Sequence, residues 1–183
     1  ALTAVSCLSC FTNDYLEIAS SLEKIDTIPG RLERINSANG FSVFIDYAHT
    51  EESLREVLNT LNLIPHNRII TVFGCGGDRD KTKRPRMGRV AEKLSDYIII
   101  TSDNPRTEDP IKIISDIEKG ITDKNKYIIE PDREKAIKKA IEFAKNGDII
   151  LIAGKGHEDY QIIGTNKIHF SDKDVVLKYL NKG

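Results

Sequence analysis

The run Asp148-Ile149-Ile150-Leu151-Ile152-Ala153-Gly154-Lys155-Gly156-His157-Glu158 decides the fold. After the aspartate come five apolar residues with no polar alternation, bounded by glycine. A strand of that kind is buried on both faces, as inside a parallel sheet covered by helices. A lysine, a histidine and a glutamate follow at once, set around two glycines. In open α/β sheets ligands bind beyond the carboxyl ends of the strands. The run therefore predicts a core strand and a piece of a binding edge together.

Outward from it the same alternation repeats. Residues 41–46, 68–74, 96–101 and 126–129 are short Ile- and Val-rich strands. Helical periodicity lies between them, over about 50–63 with Thr50 as N-cap, 87–94, 110–121, and from an Asp132 cap to 145. Residues 161–163 and 167–170 pair as a hairpin around Gly164-Thr165-Asn166. A last helix starts at Ser171, with Asp174 as capping-box partner. Strand and helix in alternation predict an α/β class: a Rossmann-like, doubly wound, mostly parallel sheet with helices on both faces.

The first 28 residues differ. Apolar positions recur at Leu2, Val5, Leu8 and Phe11, then at Leu16, Ile18, Ala19, Leu22 and Ile25, with a break at Asn13-Asp14 and a stop at Pro29-Gly30. Two helices this short cannot bury their own apolar face. Residues 1–28 are thus expected to close an upstream domain, and residues 29–183 to form the α/β domain. The start at Ala1 rather than Met agrees with a fragment.

Composition excludes several classes. Lys+Arg is 27 and Asp+Glu 28, a net charge of -1, which suits neither a nucleic-acid scaffold nor an anionic-membrane binder. No apolar run approaches the length needed to cross a bilayer, and residues 1–11 have no basic lead. There are three cysteines. Cys7 and Cys10 stand in C-x-x-C spacing, but a zinc site wants a second pair and only Cys75 remains. The favoured reading is buried structural thiols in a reducing, cytoplasmic compartment.

Four polar clusters follow predicted strands, so all four are expected at one edge. The first is Asp46-Tyr47-Ala48-His49. The second, Gly74 to Asp80, lacks the third glycine of a dinucleotide fingerprint, since position 79 is Arg79. It is a tight turn or an anion cradle, and the charges on Asp78, Arg79, Asp80, Lys81, Lys83, Arg84 and Arg86 favour the cradle. The third is Asp103-Asn104-Pro105-Arg106. Pro105 restricts Asn104 to extended backbone and sets the direction of Arg106, whose planar guanidinium can hold a carboxylate by two parallel hydrogen bonds. The fourth, Gly154 to Glu158, is no Walker A loop, because position 149 is Ile149 and no Ser or Thr follows Lys155. Taken alone, each has a bland reading. His49 and His157 are by base rate structural or exposed, Asp46 is a weak site signal, and Arg31 after Pro29-Gly30 is a solvated linker charge.

Together these stretches resemble the Mur ligase family, the ATP-dependent amino-acid ligases of peptidoglycan precursor synthesis. The resemblance rests on Gly30 to Glu33, Asp46 to Thr50, Phe73 to Asp80, Asp103 to Pro110 and Gly154 to Tyr160. It implies three domains, of which this chain carries the third after the last helices of the second. The P-loop, the magnesium ligands and the modified lysine would lie upstream, leaving no metal ligand and no covalent catalyst here. It implies that ATP with Mg2+ phosphorylates the D-glutamate carboxylate of a UDP-N-acetylmuramoyl-dipeptide, and that an amine of meso-diaminopimelate attacks the acyl phosphate. Arg79, Asp103, Asn104, Pro105, Arg106, Gly154 and Glu158 would hold the diamino acid; lysine-adding relatives lack the arginine of this motif. Arg31, Asp46 and His49 would reach the nucleotide. Rival readings are a ligase like folylpolyglutamate synthetase and a binding module without catalysis.

Overall fold

A computed structural model describes residues 6–12, 14–24 and 27–181. Its centre is a six-stranded sheet in the order β1-β2-β6-β3-β4-β5. The strands are β1 (Glu33–Asn36), β2 (Ser42–Asp46), β3 (Ile69–Phe73), β4 (Tyr97–Ile100), β5 (Tyr127–Ile129) and β6 (Ile149–Ala153). All neighbours pair in parallel except β1, which runs antiparallel on the β2 edge. The fold class is as the sequence predicts. The strand that decided it, β6, lies between β2 and β3, with Ile150 opposite both Val43 and Ile70.

Strand side chains alternate between faces, and β6 feeds two cores. Leu151 and Ala153 join Phe44, Phe73, Ile98 and Ile100 on one face. There they meet α2 (Glu51–Asn62), α3 (Lys83–Leu94) and α4 (Pro110–Glu118) through Leu54, Leu58, Leu61, Met87, Ile113 and Ile117. Ile150 and Ile152 join Val43, Ile45, Val72 and Ile99 on the other, under α5 (Arg133–Phe143) and α6 (Asp172–Leu180). Burial of both faces explains the unbroken apolar run.

The helix starts obey their caps. Thr50 and Ser53 form a reciprocal capping box on α2. Asp109, Asp132 and Ser171 accept from backbone N–H groups of α4, α5 and α6. Ser171 makes its half of the expected box, while the Asp174 carboxylate faces His169 at 3.8 Å. The hairpin is present as β7 (Tyr160–Ile163) and β8 (Asn166–His169), with Asn166 already in the strand. Two elements differ from expectation. Helix α3 starts at Lys83 rather than 87; Pro85 sits in its first turn, where a missing N–H costs nothing. Strand β1 was not foreseen, because Glu-Arg-Ile-Asn has neither apolar alternation nor a β-branched run.

The N-terminal expectation needs a larger correction. Helix α1 (Tyr15–Glu23) forms, and residues 6–8 are helical. Cys7 and Cys10 are exposed, not buried as expected; only Cys75 is. Phe11 is 89% and Leu16 84% exposed, while Ile18 is buried. Their apolar spacing is real, yet the described residues of this chain do not cover it. Leu2, Val5, Asn13 and Ile25 lie outside the described residues, as does the side chain of Leu22. No described helix is long and apolar enough to cross a membrane.

Helices α5 and α6 are joined by an ion pair with both side chains fully buried. Arg133 Nε and Nη2 each donate to the Asp172 carboxylate at 2.8 Å. Removing one partner of such a pair strands a charge away from water. Arg133→Met is expected to destabilise by about 3–5 kcal/mol, and Arg133→Met with Asp172→Leu by clearly less. Urea unfolding of the three proteins checks the order.

Candidate functional site

The four polar clusters meet at the carboxyl edge of the sheet. Together they line one cavity of about 580 Å³, with His49, Gly76, Arg79, Asn104, Arg106 and Glu158 on its walls. The convergence expected from strand-end positions is what the structure shows.

The glycines after β3 serve close packing. A Cβ on Gly77 would stand 1.9 Å from the Pro105 carbonyl oxygen, and one on Gly74 2.2 Å from that of Thr101. Neither clash can relax without moving backbone. The loop after β3 thus lies directly on the loop after β4, and Gly77 N–H donates to the Asn104 carbonyl at 2.9 Å. Arg106 occupies the left-handed region, φ 52°, and Pro105 alone does not set its direction. Its N–H donates to the Ile162 carbonyl at 3.0 Å, and its carbonyl accepts from Gly164 N–H at 2.7 Å. The β7–β8 hairpin therefore clamps this residue. Its Nη1 donates to the Gly77 carbonyl at 2.8 Å, which orients the fork at the cavity wall. Exposed Arg79 lines the same wall.

Beside the arginines lies a corner of opposite character. Lys155 is fully buried, with Nζ 3.1 Å from Asn104 Oδ1 and 3.4 Å from both Asp103 Oδ1 and Glu158 Oε2. Asn104 Nδ2 donates to Glu158 Oε2 at 3.1 Å, and Ile162 N–H donates to Asn104 Oδ1 at 3.0 Å. Both ends of that amide are thus assigned. Gly154, at φ 119°, passes the Asp103 carboxylate and the Arg133 guanidinium. Tyr160 forms the outer wall, and the charge and hydrogen bond of Glu158 push its hydroxyl above the ordinary tyrosine range. Lys155 and Tyr160 were not among the predicted site residues. Lys155 was visible as a charge in a glycine-flanked loop, but nothing in the sequence showed its burial.

Arg31, Asp46 and His49 do three different things. His49 lines the cavity, its Nδ1 2.9 Å from the Tyr47 carbonyl oxygen. Arg31 is exposed and packs its guanidinium 5.0 Å from the centre of the Tyr47 ring. Asp46 is buried, and its carboxylate accepts from Leu32 N–H at 2.7 Å and Ala48 N–H at 2.8 Å. It shapes the loop that carries the other two. Tyr47, unforeseen as a site residue, is their common centre, with the His49 ring at 4.7 Å and the His157 ring at 5.8 Å. Lys83, also on the cavity wall, donates to the His49 carbonyl at 2.6 Å.

Arg84, counted from the sequence among the loop charges that favour binding, is instead fully buried beneath the loop. Its Nη2 donates to Glu108 Oε1 at 2.9 Å and to the Gly76 carbonyl at 3.3 Å, and its Nη1 to Asp116 at 3.1 Å. Glu108 in turn accepts from Asp78 N–H at 2.6 Å. The Arg84 guanidinium, opposed by burial, holds the Glu108 carboxyl down to about 2. A carboxyl lowered in the folded state adds stability above its unfolded value, and that stability is lost as pH falls through the folded one. Glu108→Gln should therefore lower the urea midpoint at pH 7, and its gap from the unmodified protein should close between about pH 4.5 and 2.

Residues 30–156 match the family described as Mur ligase, glutamate ligase domain. The chain is 54% identical over 163 residues to the UDP-N-acetylmuramoyl-L-alanyl-D-glutamate--2,6-diaminopimelate ligase of Fusobacterium nucleatum, covering 88% of this chain and 34% of that protein. It is 52% identical over 180 residues to a Clostridium acetobutylicum ligase of the same name, covering 98% and 37%. A solved structure with that name superposes over 99% of this chain and 37% of its own, with a TM-score of 0.81 at 38% identity. A Yersinia pestis folylpolyglutamate synthase/dihydrofolate synthase, at 18% identity and a TM-score of 0.57, shares the fold alone. The chain spans about a third of the length of the curated relatives it matches. With residues 30–156, most of this chain, matching the family's domain, and about half its residues shared with these ligases over the aligned stretches, the chain belongs to the Mur ligase family.

Proposed function

We propose that this chain is the amino-acid-binding domain of an ATP-dependent ligase that adds meso-diaminopimelate to UDP-N-acetylmuramoyl-L-alanyl-D-glutamate. One observation carries the reading: Arg79 and Arg106 share a cavity with a corner formed by Asp103, Lys155 and Glu158. With charges of -1, +1 and -1, that corner sums to -1. A guanidinium fork beside an acidic corner fits the carboxylate and ammonium of one amino-acid centre. An ammonium held against carboxylates keeps its proton and cannot attack. The centre bound here is therefore the far one, and the other amine is left free to react. That division of labour requires a substrate with two amino groups, and the relatives' names specify such a substrate.

The Arg31–Tyr47–His49 group suits a nucleotide. It offers a cation and an aromatic face at the cavity rim, with Lys83 beside it. Among the described residues no cluster of His, Cys, Asp or Glu could hold a metal ion. In this reading Mg2+ and the P-loop belong to upstream domains, and Mg2+ would neutralise phosphate charge there. Residues 1–28 are the end of the central domain, which the exposed Phe11 and Leu16 would meet; residues 29–183 are the C-terminal domain. In this reading the enzyme works in the cytoplasm, the compartment that suits nucleotide-linked substrates. This chain contributes orientation, holding the diamino acid so that its free amine meets the acyl phosphate.

In the ligase that carries this domain, Arg106→Ala should abolish preference for meso-diaminopimelate over L-lysine. Loss of one charge-assisted partner costs on the order of 2–5 kcal/mol, or roughly 30- to 5,000-fold in kcat/KM for the diamino acid. Radiolabelled incorporation dependent on ATP and the UDP-dipeptide measures it. Preference that survives the change sinks the assignment.

A further inference from the structure

Among the described residues, Lys155 is the one buried cation whose side-chain hydrogen bonds all go to side chains of the proposed diamino-acid site. Its Nζ reaches residues of two loops, Asp103 and Asn104 after β4 and Glu158 after β6, and its side chain has no exposure. We propose that Lys155 is a positioning residue for the diamino acid: it fixes the two carboxylates that receive the substrate's non-reacting ammonium, without touching substrate itself. The inference rests on the substrate reading above.

The charges around it leave little else for it to do. From α5, Arg133 faces the same corner, but its guanidinium is satisfied by Asp172 of α6 and by the carbonyls of Ala153 and Ser102. From β7, Tyr160 presents its ring 5.6 Å from Nζ and bonds Glu158 through its hydroxyl. One lysine thus restrains two carboxylates that would otherwise repel each other and turn toward water. It balances only one of them, so the pair keeps a single negative charge for an incoming cation. A second lysine-like cation in the cleft completes the balance. Fixing the acceptors before the substrate arrives lowers the cost of binding, because no carboxylate must be ordered at that moment.

The test uses the ligase carrying this domain, with steady-state kinetics varied in turn for meso-diaminopimelate, ATP and the UDP-dipeptide. Lys155→Met keeps the volume and removes the charge. It should raise KM for meso-diaminopimelate by tenfold or more, on the order expected for misplacing a binding group, with the other two KM values within about twofold. Lys155→Arg keeps the charge, avoids stranding two carboxylates if the methionine variant does not fold, and should also raise that KM selectively. Because Lys155 acts through Glu158, adding Lys155→Met to Glu158→Gln should give much less than the product of the single effects. A rise in all three KM values, or full additivity with Glu158→Gln, would show a merely structural lysine and overturn the proposal. An unchanged KM for the diamino acid in both lysine variants would do the same. Arg106→Ala run in parallel separates the levels. If it too leaves diamino-acid kinetics untouched, the substrate reading fails; if it alone has an effect, only the role of Lys155 does.

Discussion

A cation without water must find its acceptors inside the protein, and this carboxyl edge holds three. Arg84, Arg133 and Lys155 are each almost wholly buried. Each is held by groups from different elements, although the buried Arg84 Nε has no hydrogen-bond partner, so none can be neutralised unless several loops are correctly placed. Arg84 of α3 draws in the Gly76 carbonyl after β3, Glu108 after β4 and Asp116 of α4. Arg133 of α5 draws in the carbonyls of Ser102 and Ala153 and the carboxylate of Asp172. Lys155 joins the loop after β4 to that after β6. The walls of the cavity are thereby tied to one another.

This arrangement separates stability from precision. The two apolar layers on either face of the sheet, with Leu151 and Ile152 among them, supply the burial that folding needs. Buried ion pairs add little net stability compared with well-packed apolar residues. What they impose is geometry. The glycines of the loop after β3, packed on bare carbonyls at Gly74 and Gly77, leave few of its side chains to resist sliding, chiefly buried Cys75 and Asp78, whose carboxylate accepts from Thr107. Arg84 beneath it and Glu108 across from it add to that resistance.

The legible parts of the sequence were those governed by local rules. Five apolar residues before Gly154 imply a doubly buried strand whatever surrounds them, and Thr50, Asp132 and Ser171 announce helices through their own side chains. Strand-end position was enough to bring Arg79, Arg106 and Glu158 together. The illegible parts depend on partners distant in sequence. Arg84 and Arg79 look alike in a charged loop, yet one lies under the loop and the other on the cavity wall. Asp46 resembles a ligand residue, and what the sequence does not show is that each of its oxygens also accepts a backbone N–H, from Leu32 and Ala48. The left-handed turn at Arg106 is held by a hairpin about sixty residues away, which no local pattern encodes. Strand β1 exists because β2 had an open edge, not because Glu-Arg-Ile-Asn favours a strand.

Rigid recognition has a consequence for how a ligase of the proposed kind would work. Its reactive partners, an acyl phosphate formed on the enzyme and an amine, must meet within bonding reach and in the right orientation. If the amino-acid pocket formed only on contact with the other domains, closure would have to order loops and select substrate in one step. Here the backbone of Arg106 is clamped by Ile162 and Gly164, its fork is held by the Gly77 carbonyl, and the acidic corner is braced by Lys155. In a ligase of the proposed kind selection would then precede closure, and closure would reduce to a rigid-body approach that delivers an oriented amine. The Arg31–Tyr47–His49 group, proposed to face the nucleotide, has a looser build, with Arg31 and His49 exposed around one tyrosine ring. In the proposed enzyme that softer half is the part left to adjust as the domains come together.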